Sequence, residues 1–385
     1  SVQRTPSENQ HAEHRRLVAA ALTAPIGLPA LIECVVPGDR VVIAVDPETP
    51  GWMEIVEQVT ESLQLLGHGG VTITLLLPQD PSGDEWEPFL SGLPEQIRSA
   101  LATRIHHPQD AEERGYLASS SGGERIYLNR QLLDADLIVT IGVIGFDSLL
   151  GYRGTSSVIF PSFSDEETIR ETRVPGHPEL TPDQKRPRRE LVDEIGWLLG
   201  TQFTVQVLPD ADGNIGRVLT GAPDQVQQAG QAELDQTWRI SADDSFDLVL
   251  ISVPGGVFGW KQLGCALETA CRIVEPGGRV AIVADVPIPE GPGAQMLRRT
   301  QDPEDLLKPL RRDPPEDAVE ISQLIHAQRR VRLFLFSGLA TEVVEELGMF
   351  SISNADELQK IVEQSRSTAV IRGANFSWCD VMATH

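Results

Sequence analysis

A glycine-rich loop directly after a buried strand is the clearest candidate for a functional site in this sequence. Residues 136–142 form a short apolar run, rich in β-branched residues and bounded by an acid and a glycine, which is typical of a buried parallel strand. The chain then passes through Gly145, Gly151 and Gly154 and reaches a helix that we expect to be capped near Ser164. Because ligands of open α/β sheets bind beyond the carboxyl ends of strands, this long loop predicts a binding site.

Two other groups of reactive side chains have simpler structural explanations. His106 and His107 follow a predicted helix, but the other histidines lie in unrelated loops, so a pair held by backbone hydrogen bonds is favoured over a metal site. Cys265 shares a polar helical stripe with Lys261 and Glu268. A thiol near a lysine can be reactive, although an ordinary half-buried cysteine is the more common case.

A glycine turn after a second predicted strand is a weaker candidate. In the segment SVPGGVFGW the glycines Gly255, Gly256 and Gly259 do not give the spacing G-x-G-x-x-G, and no acid follows at the position that would bind a ribose. The later part of this region is similar to motifs of Rossmann methyltransferases, but their earlier glycine-rich loop is missing. A plain tight turn is the favoured interpretation.

Composition limits the class of protein and its partners. The chain has 385 residues, a net charge of −24 and a sequence pI of about 4.7, which argues against nucleic acids and anionic membranes as partners. Its four cysteines show neither C-x-x-C pairs nor zinc spacing, so we expect a reduced, cytoplasmic protein. No apolar run is long enough to span a membrane. The oligomeric state is left open.

The order of elements predicts two α/β domains with mainly parallel sheets and a cleft between them. Strands at residues 40–46 and 71–77 alternate with helices, one of them at residues 94–103, and residues 175–190 read as an exposed polar loop. A new strand–helix–strand pattern begins at Phe246. We therefore predict an N-terminal domain over residues 1–243 and a C-terminal domain over residues 244–371. Residues 372–385 can return to the first domain.

Three segments, in this order, resemble the nickel-pincer lactate racemase family: AALTAPIGLPALIECVVPGDRVVIAVD, YLNRQLLDADLIVTIG and GYRGTSSVIFPSFSDEETI. Their order and spacing match the family across the first three quarters of the chain. The resemblance implies two α/β domains with the site in the cleft. It also implies a nickel-pincer cofactor anchored on a lysine, a histidine that ligates nickel, and two histidines acting as acid and base on a 2-hydroxy acid.

The positions that match the family's substrate and acid–base residues have changed here. Asp46 matches the aspartate of the family's D-x-T-R-P turn. Thr49, however, occupies the position of the arginine that would bind substrate. Gln79 and Asp80 replace the histidine and arginine of the G-T-H-R loop, and Asp147 matches the second histidine. Glutamine does not titrate near neutral pH, so the acid–base pair of the family is absent. Asp147 could act as a base if burial raised its pKa.

The positions that match the cofactor-binding residues have changed as well. Ser157 matches the anchoring lysine, Arg173 the nickel-binding histidine and Cys265 the lysine of the second-domain helix. A hydroxyl cannot form the lysine's adduct, and a guanidinium offers no lone pair to a metal at neutral pH. We therefore expect no cofactor and no metal. His177 is the nearest replacement for a metal ligand, and Lys261 for a lost lysine.

Three hypotheses follow. In the first, the chain is a family member without pincer racemase activity that binds a small anion, a carboxylate or phosphate, between Arg153 and Arg173. The second is a 2-hydroxy-acid racemase or epimerase, hence an isomerase, with a rearranged site that uses Asp147, His177 and Lys261; the third is a regulatory or structural partner protein. The candidate catalytic residues are Asp147 and Gln79, and the candidate ligand-binding residues are Asp46, Thr49, Asp80, Arg153, Ser157, Arg173, Lys261 and Cys265.

Overall fold

The first part of the chain alternates strands and helices around one sheet. The structure, a computed structural model, describes residues 8–65, 70–79, 86–254 and 259–381. The elements in chain order are α1 (Glu8–Thr23), β1 (Arg40–Val45), α2 (Trp52–Gln64), β2 (Thr72–Leu77), α3 (Trp86–Leu90), α4 (Glu95–Ala100), β3 (Leu101–Ile105), β4 (Arg114–Ser119), β5 (Arg125–Asn129), α5 (Arg130–Leu133), β6 (Leu137–Val143), β7 (Gly145–Asp147), β8 (Gly151–Arg153), α6 (Glu166–Glu171), α7 (Pro187–Leu199), β9 (Phe203–Pro209), β10 (Ile215–Gly221) and α8 (Pro223–Trp238). Among the described residues, six strands form a sheet in the order β10–β9–β6–β1–β2–β3, and its β9–β10 pair is antiparallel.

The remaining elements build a second, fully parallel sheet. In chain order they are β11 (Arg239–Ala242), β12 (Phe246–Val253), α9 (Gly259–Ile273), β13 (Val274–Ala284), α10 (Pro292–Arg299), α11 (Leu307–Arg312), α12 (Ala318–Arg330), β14 (Arg332–Phe336), α13 (Thr341–Glu346), β15 (Phe350–Ile352), α14 (Ala355–Glu363), β16 (Thr368–Arg372) and β17 (Trp378–Val381). In the described part of the chain, the sheet order is β15–β14–β13–β12–β16. The chain end then returns, because β17 pairs in parallel with β11.

Both faces of the first sheet are buried. Val41, Ile43 and Val45 of β1 pack into one hydrophobic cluster, while the alternate residues Val42 and Ala44 pack into another. Side chains of a strand point to opposite faces in turn, so this division shows helices covering the sheet on both sides. The predicted fold class, α/β with mainly parallel sheets, is confirmed. The domain boundary near residue 243 stays a prediction.

The structure corrects three local predictions and refines a fourth. The helix predicted over residues 94–103 is only the short α4. It is followed by the edge strand β3, which pairs in parallel with β2. The cap of α6 is Asp165, next to Ser164 as expected, and its carboxylate accepts the N–H of Thr168 at 3.0 Å. The long glycine loop contains the β7–β8 hairpin. The predicted exposed segment over residues 175–190 contains Arg186, which is 1 % exposed.

The two sheets meet along α9 and the returning chain end. The Thr269 hydroxyl in α9 donates to the carbonyl of Ser377 at 2.7 Å, and the Arg272 guanidinium lies 3.7 Å from the ring centre of Trp378. Trp378 in turn packs against Phe146 of the β7–β8 hairpin. These contacts bring the N-terminal end of α9 next to the turn after β1. In the described ranges no helix is both long and apolar enough to cross a membrane.

Candidate functional site

The turn after β1 is held in one shape by hydrogen bonds. The Asp46 N–H donates to the carbonyl of Ile141 at 2.9 Å, which ties the end of β1 to β6. The Asp46 carboxylate accepts the N–H of Glu48 at 3.0 Å, and the Asp46 carbonyl accepts the N–H of Thr49 at 3.0 Å. Thr49 is 2 % exposed, and its hydroxyl has no hydrogen-bond partner among the described residues. The turn thus places a carboxyl group and an unpaired hydroxyl on either side of Glu48.

Glu48 is the centre of an ion cluster that joins the two sheets. Its carboxylate accepts from Nζ of Lys261 in α9 at 2.7 Å and from Nη1 of Arg153 at the end of β8 at 3.2 Å. Nε2 of Gln262 approaches the same carboxylate at 3.5 Å. The side chains of Glu48 and Arg153 are 26 % and 17 % exposed, whereas that of Lys261 is 55 % exposed. We call Asp46, Glu48, Arg153, Lys261 and Gln262 the Glu48 cluster.

The electrostatics of the Glu48 cluster separate its two carboxyl groups. Burial alone would raise the pKa of Glu48, but the charges of Lys261 and Arg153 and their hydrogen bonds hold this pKa at about 2. Burial and the neighbouring Glu48 charge instead raise the pKa of Asp46. Glu48 in turn raises the pKa of Lys261 against the effect of burial. At neutral pH, therefore, Glu48 is an anion held between two permanent cations.

Asp147 closes the β7–β8 hairpin that carries Arg153. Its carboxylate accepts the N–H groups of Leu149 at 2.8 Å and Leu150 at 2.7 Å, so the turn of the hairpin depends on it. The charge of Asp147 also helps to raise the pKa of Arg153. Asp147 thus faces the cluster and positions the strand that supplies one of its cations.

Cys265 and Glu268 lie on α9, one and two turns beyond Lys261, and burial raises the pKa of both. Burial and the charge of Asp147 raise the pKa of Glu268 to about 7, against hydrogen bonds from Gln323 and Ser148. Burial and the charge of Glu268 raise the pKa of the Cys265 thiol to about 12. A thiol with such a pKa carries almost no thiolate at pH 7. Cys265 is thus in the state of an ordinary half-buried cysteine, the favoured interpretation of the sequence.

We predict that Glu268→Gln stabilises the protein at pH 8 and not at pH 4. The folded protein holds the Glu268 proton more tightly than the unfolded chain, because its pKa is about 7 instead of 4.5. The contribution of Glu268 to the free energy of unfolding is fully present below about pH 4.5 and is lost as the pH rises through about 7. The gain at pH 8 is expected to be about 1–2 kcal/mol, after allowance for solvent screening. Urea unfolding at both pH values measures it, and an equal effect at pH 4 and pH 8 would contradict the assignment.

Four other described residues of the predicted site make no hydrogen bond or ion pair with the Glu48 cluster. Gln79 is exposed just after β2, and Asp80 lies outside the described residues. The Arg173 side chain makes no hydrogen bond or ion pair with any described residue, and His177 is exposed, with Nδ1 at 3.3 Å from Glu179. Ser157 accepts the N–H of Gly154 at 2.8 Å and so caps the short 3-10 helix Thr155–Val158.

His106 has the structural role that the sequence favoured. Its Nε2 lies 2.7 Å from the carbonyl of Ser164, and Nδ1 lies 3.0 Å from the side-chain amide of Asn129. Burial lowers the pKa of His106 despite the bond to Ser164, so the ring is neutral. Among the described residues, no group of three His, Cys, Asp or Glu side chains is arranged to hold a metal ion.

Sequence reasoning missed Glu48, Gln262 and Glu268 as members of the site. Glu48 was visible in the turn DPETPG, two residues after the retained Asp46, but the family pattern drew attention to the position of Thr49. Gln262 stands next to Lys261 in the segment that matched the second-domain helix of the family. Only the fold brings α9 against the β1 turn, so the partner of Lys261 could not be named from spacing.

The comparisons with known proteins agree with this arrangement. Residues 1–175 match the family model described as the lactate racemase N-terminal domain. The chain is similar to the lactate racemase apoprotein from Thermoanaerobacterium thermosaccharolyticum, with a TM-score of 0.79 and 16% identity over 95% of this chain and 92% of that one. No curated protein matches the sequence. Residues 1–175 thus match the lactate racemase N-terminal domain, and the chain as a whole shares the fold of the lactate racemase apoprotein.

A second solved structure shares the fold. It is a protein from Thermotoga maritima, to which the chain is similar with a TM-score of 0.67 and 12% identity over 99% of this chain and 100% of that one. At such low identities, structural similarity shows that the fold is shared. It says nothing about the chemistry, which depends on the side chains. The residues of the Glu48 cluster therefore have to carry any statement about function.

Proposed function

We propose that this protein uses the lactate racemase fold to bind a small acid, through a carboxylate or a phosphate, at the Glu48 cluster. The observation that carries the proposal is the approach of Arg153, from the β7–β8 hairpin, and Lys261, from α9, to the two oxygens of one carboxylate. Two cations and the amide of Gln262 form the kind of arrangement that binds an acid group with defined geometry. In this proposal Lys261 takes the place expected of Arg173.

We further propose that the protein works without the nickel-pincer cofactor. The donor set supports this: the Ser157 hydroxyl caps a helix turn and cannot replace a lysine amine, and the Arg173 guanidinium has no lone pair for a metal. Lys261, the one lysine near the site, is held by Glu48 at 2.7 Å. No step of pincer chemistry is therefore assigned to these residues.

A binding experiment tests the first part of the proposal. Isothermal titration with four anion probes (oxalate, D-lactate, L-lactate and inorganic phosphate) and with small amino acids is expected to find at least one ligand, and Lys261→Gln is expected to weaken its binding roughly tenfold or more. Lys360→Gln is the matched control, because Lys360 is exposed on α14 and makes no ion pair among the described residues. Equal weakening by both variants, or the absence of binding to all four probes and to any amino acid, would contradict the proposal.

Co-expression with the enzymes that make the pincer tests the second part. We expect the intact mass of the chain alone and no nickel in the purified protein. A mass adduct with bound nickel would overturn the cofactor-free proposal and would support the racemase hypothesis instead. Lys261→Gln would then show whether Lys261 is the anchor, because the adduct would be lost in that variant and kept in Lys360→Gln.

We propose a cytoplasmic location on the pattern of cysteines. All four cysteines, Cys34, Cys265, Cys271 and Cys379, are free thiols in the structure. Free thiols persist where the cell keeps a reducing environment. Cell fractionation measures this directly.

A further inference from the structure

Glu48 already occupies the place that the acid group of a ligand would take. Its carboxylate lies 2.7 Å from Lys261 and 3.2 Å from Arg153, and among the described residues it has no other cationic partner. A ligand that binds both cations therefore competes with Glu48 for their charge. The charge of the ligand determines the free energy that this competition requires.

A ligand with only negative charge leaves Glu48 unpaired. The displaced carboxylate stays in partly buried surroundings beside Asp46, whose pKa its charge already raises. Glu320 adds a further acidic group near Lys261, and Asp147 adds one near Arg153. Leaving one member of a buried ion pair without its partner costs more than the pair itself contributes. The site is thus unfavourable for a plain hydroxy acid or an inorganic anion.

We propose that the ligand is a small amino acid, whose carboxylate binds Arg153 and Lys261 while its ammonium group binds Glu48. Such a molecule inserts into the existing ion pairs and leaves no charge without a partner. This inference rests on the proposed function, since it specifies which class of acid the same site receives. It departs from the 2-hydroxy acids of the family, because a hydroxyl group cannot neutralise the displaced Glu48.

The groups around Glu48 support the same conclusion. Burial raises the pKa of Asp46 and of Glu320, and the Glu48 charge raises both further. A nearby positive charge stabilises the ionised form of a carboxyl group, and the effect is largest where the pKa has been raised. The ammonium group of the ligand would supply that charge. The arrival of an ammonium group should therefore release protons from these carboxyl groups, whereas a plain anion should make them take protons up.

Matched ligand pairs test the inference on the full chain. Alanine and lactate, and aspartate and malate, differ in one amine or hydroxyl group, and both enantiomers of each are titrated at pH 7. We expect the better amino acid to bind roughly tenfold more tightly than its hydroxy acid partner. In Glu48→Gln the displaced group is neutral, so the hydroxy acid should gain affinity and the amino acid should lose it. Glu179→Gln, an exposed carboxylate near His177, is the control and should keep the preference of the natural protein.

The outcomes separate the inference from the proposed function. If lactate or malate binds the natural protein as tightly as its amino acid partner, the inference is wrong and the proposed function stands. If neither class binds the natural protein or Glu48→Gln, the proposed function is wrong and the inference fails with it. A preference for the amino acid that Glu48→Gln leaves unchanged would also overturn the inference, because it assigns the ammonium group to Glu48.

A second measurement needs no variant, in case Glu48→Gln does not fold. Calorimetry in two buffers of different ionisation enthalpy, at pH values from about 5 to 7, counts the protons exchanged on binding. Net release on binding of the amino acid is expected. Net uptake, or no exchange across this range, would contradict the proposed contact of the ammonium group with the carboxyl groups.

Discussion

Replacing Arg186 with methionine is expected to lower the free energy of unfolding by about 4 kcal/mol or more. Arg186 is 1 % exposed, and its guanidinium donates to the backbone carbonyls of Ser148, Leu180, Thr181, Pro182 and Gln184 at 2.9–3.3 Å. Methionine keeps much of the apolar stem but leaves these carbonyls without their donor. Each buried polar group that loses its partner costs about 1–3 kcal/mol, and part of this loss is recovered by water.

The same substitution is expected to disturb the candidate site. The β7–β8 hairpin lies directly on this loop: a Cβ placed on Gly151 would come within 2.3 Å of the Pro182 carbonyl and 2.7 Å of the Arg186 guanidinium. Gly151 also has a φ of +78°, so only glycine fits there without strain. Loss of Arg186 frees the hairpin that carries Asp147 and Arg153.

Urea unfolding followed by circular dichroism measures the effect, with Arg188→Met as the control. Arg188 is two residues away, and its side chain makes no hydrogen bond or ion pair with any described residue. We expect the control to change the unfolding free energy by less than about 0.5 kcal/mol. A loss below about 1 kcal/mol in Arg186→Met would show that water replaces the guanidinium and that it does not hold the loop.

The fold was predictable because its signals are local. The alternation of short apolar runs with amphipathic helices predicted the parallel sheets, and the cap of α14 by the side chain of Asn354 is a signal of the same local kind. The error at residues 94–103 arose because Leu101–Ile105 is an edge strand, and its pairing with β2 outweighs a helical pattern that ends at Ala100. Arg186 was misread for a related reason, since a charged residue among prolines predicts exposure unless several carbonyls converge on it.

The site was predictable only in part because its charges come from distant segments. Asp46, Arg153 and Lys261 were named from motif positions, and the structure brings them together. Their common partner Glu48 is 105 residues from Arg153 and 213 from Lys261 in the chain, a pairing that no spacing rule reveals. Arg173 was expected beside Arg153 on the family pattern, yet the chain turns away after α6 and its side chain has no ionic partner among the described residues.

Removing Arg153 is expected to destabilise the protein strongly, and much less so when Glu48 has been neutralised first. Arg153→Met leaves Glu48 with Lys261 alone and beside Asp46, which should cost about 3 kcal/mol of unfolding free energy at pH 7. In the Glu48→Gln background no carboxylate is stranded, so the same substitution should cost about 1 kcal/mol. The difference of about 2 kcal/mol is the coupling between the two side chains, and a double-mutant cycle by urea unfolding measures it. Arg217→Met with Glu233→Gln, a pair at 2.7 Å whose arginine side chain is 62 % exposed, is the matched cycle and should show a coupling below about 1 kcal/mol.

The pH dependence of this cycle identifies the charge responsible. Because the pKa of Glu48 is about 2 in the folded protein and 4.5 in a free side chain, the stability that its charge gives is full above about pH 4.5 and is lost as the pH falls through about 2. The coupling with Arg153 should therefore shrink steadily below pH 4.5, while Asp46 remains unchanged in all four proteins. A coupling that stays constant down to pH 2.5 would mean that Arg153 acts through packing and not through the Glu48 charge. In that case the two cations would not form an acid-binding pair, and both the proposed function and the amino acid specificity would lose their physical basis.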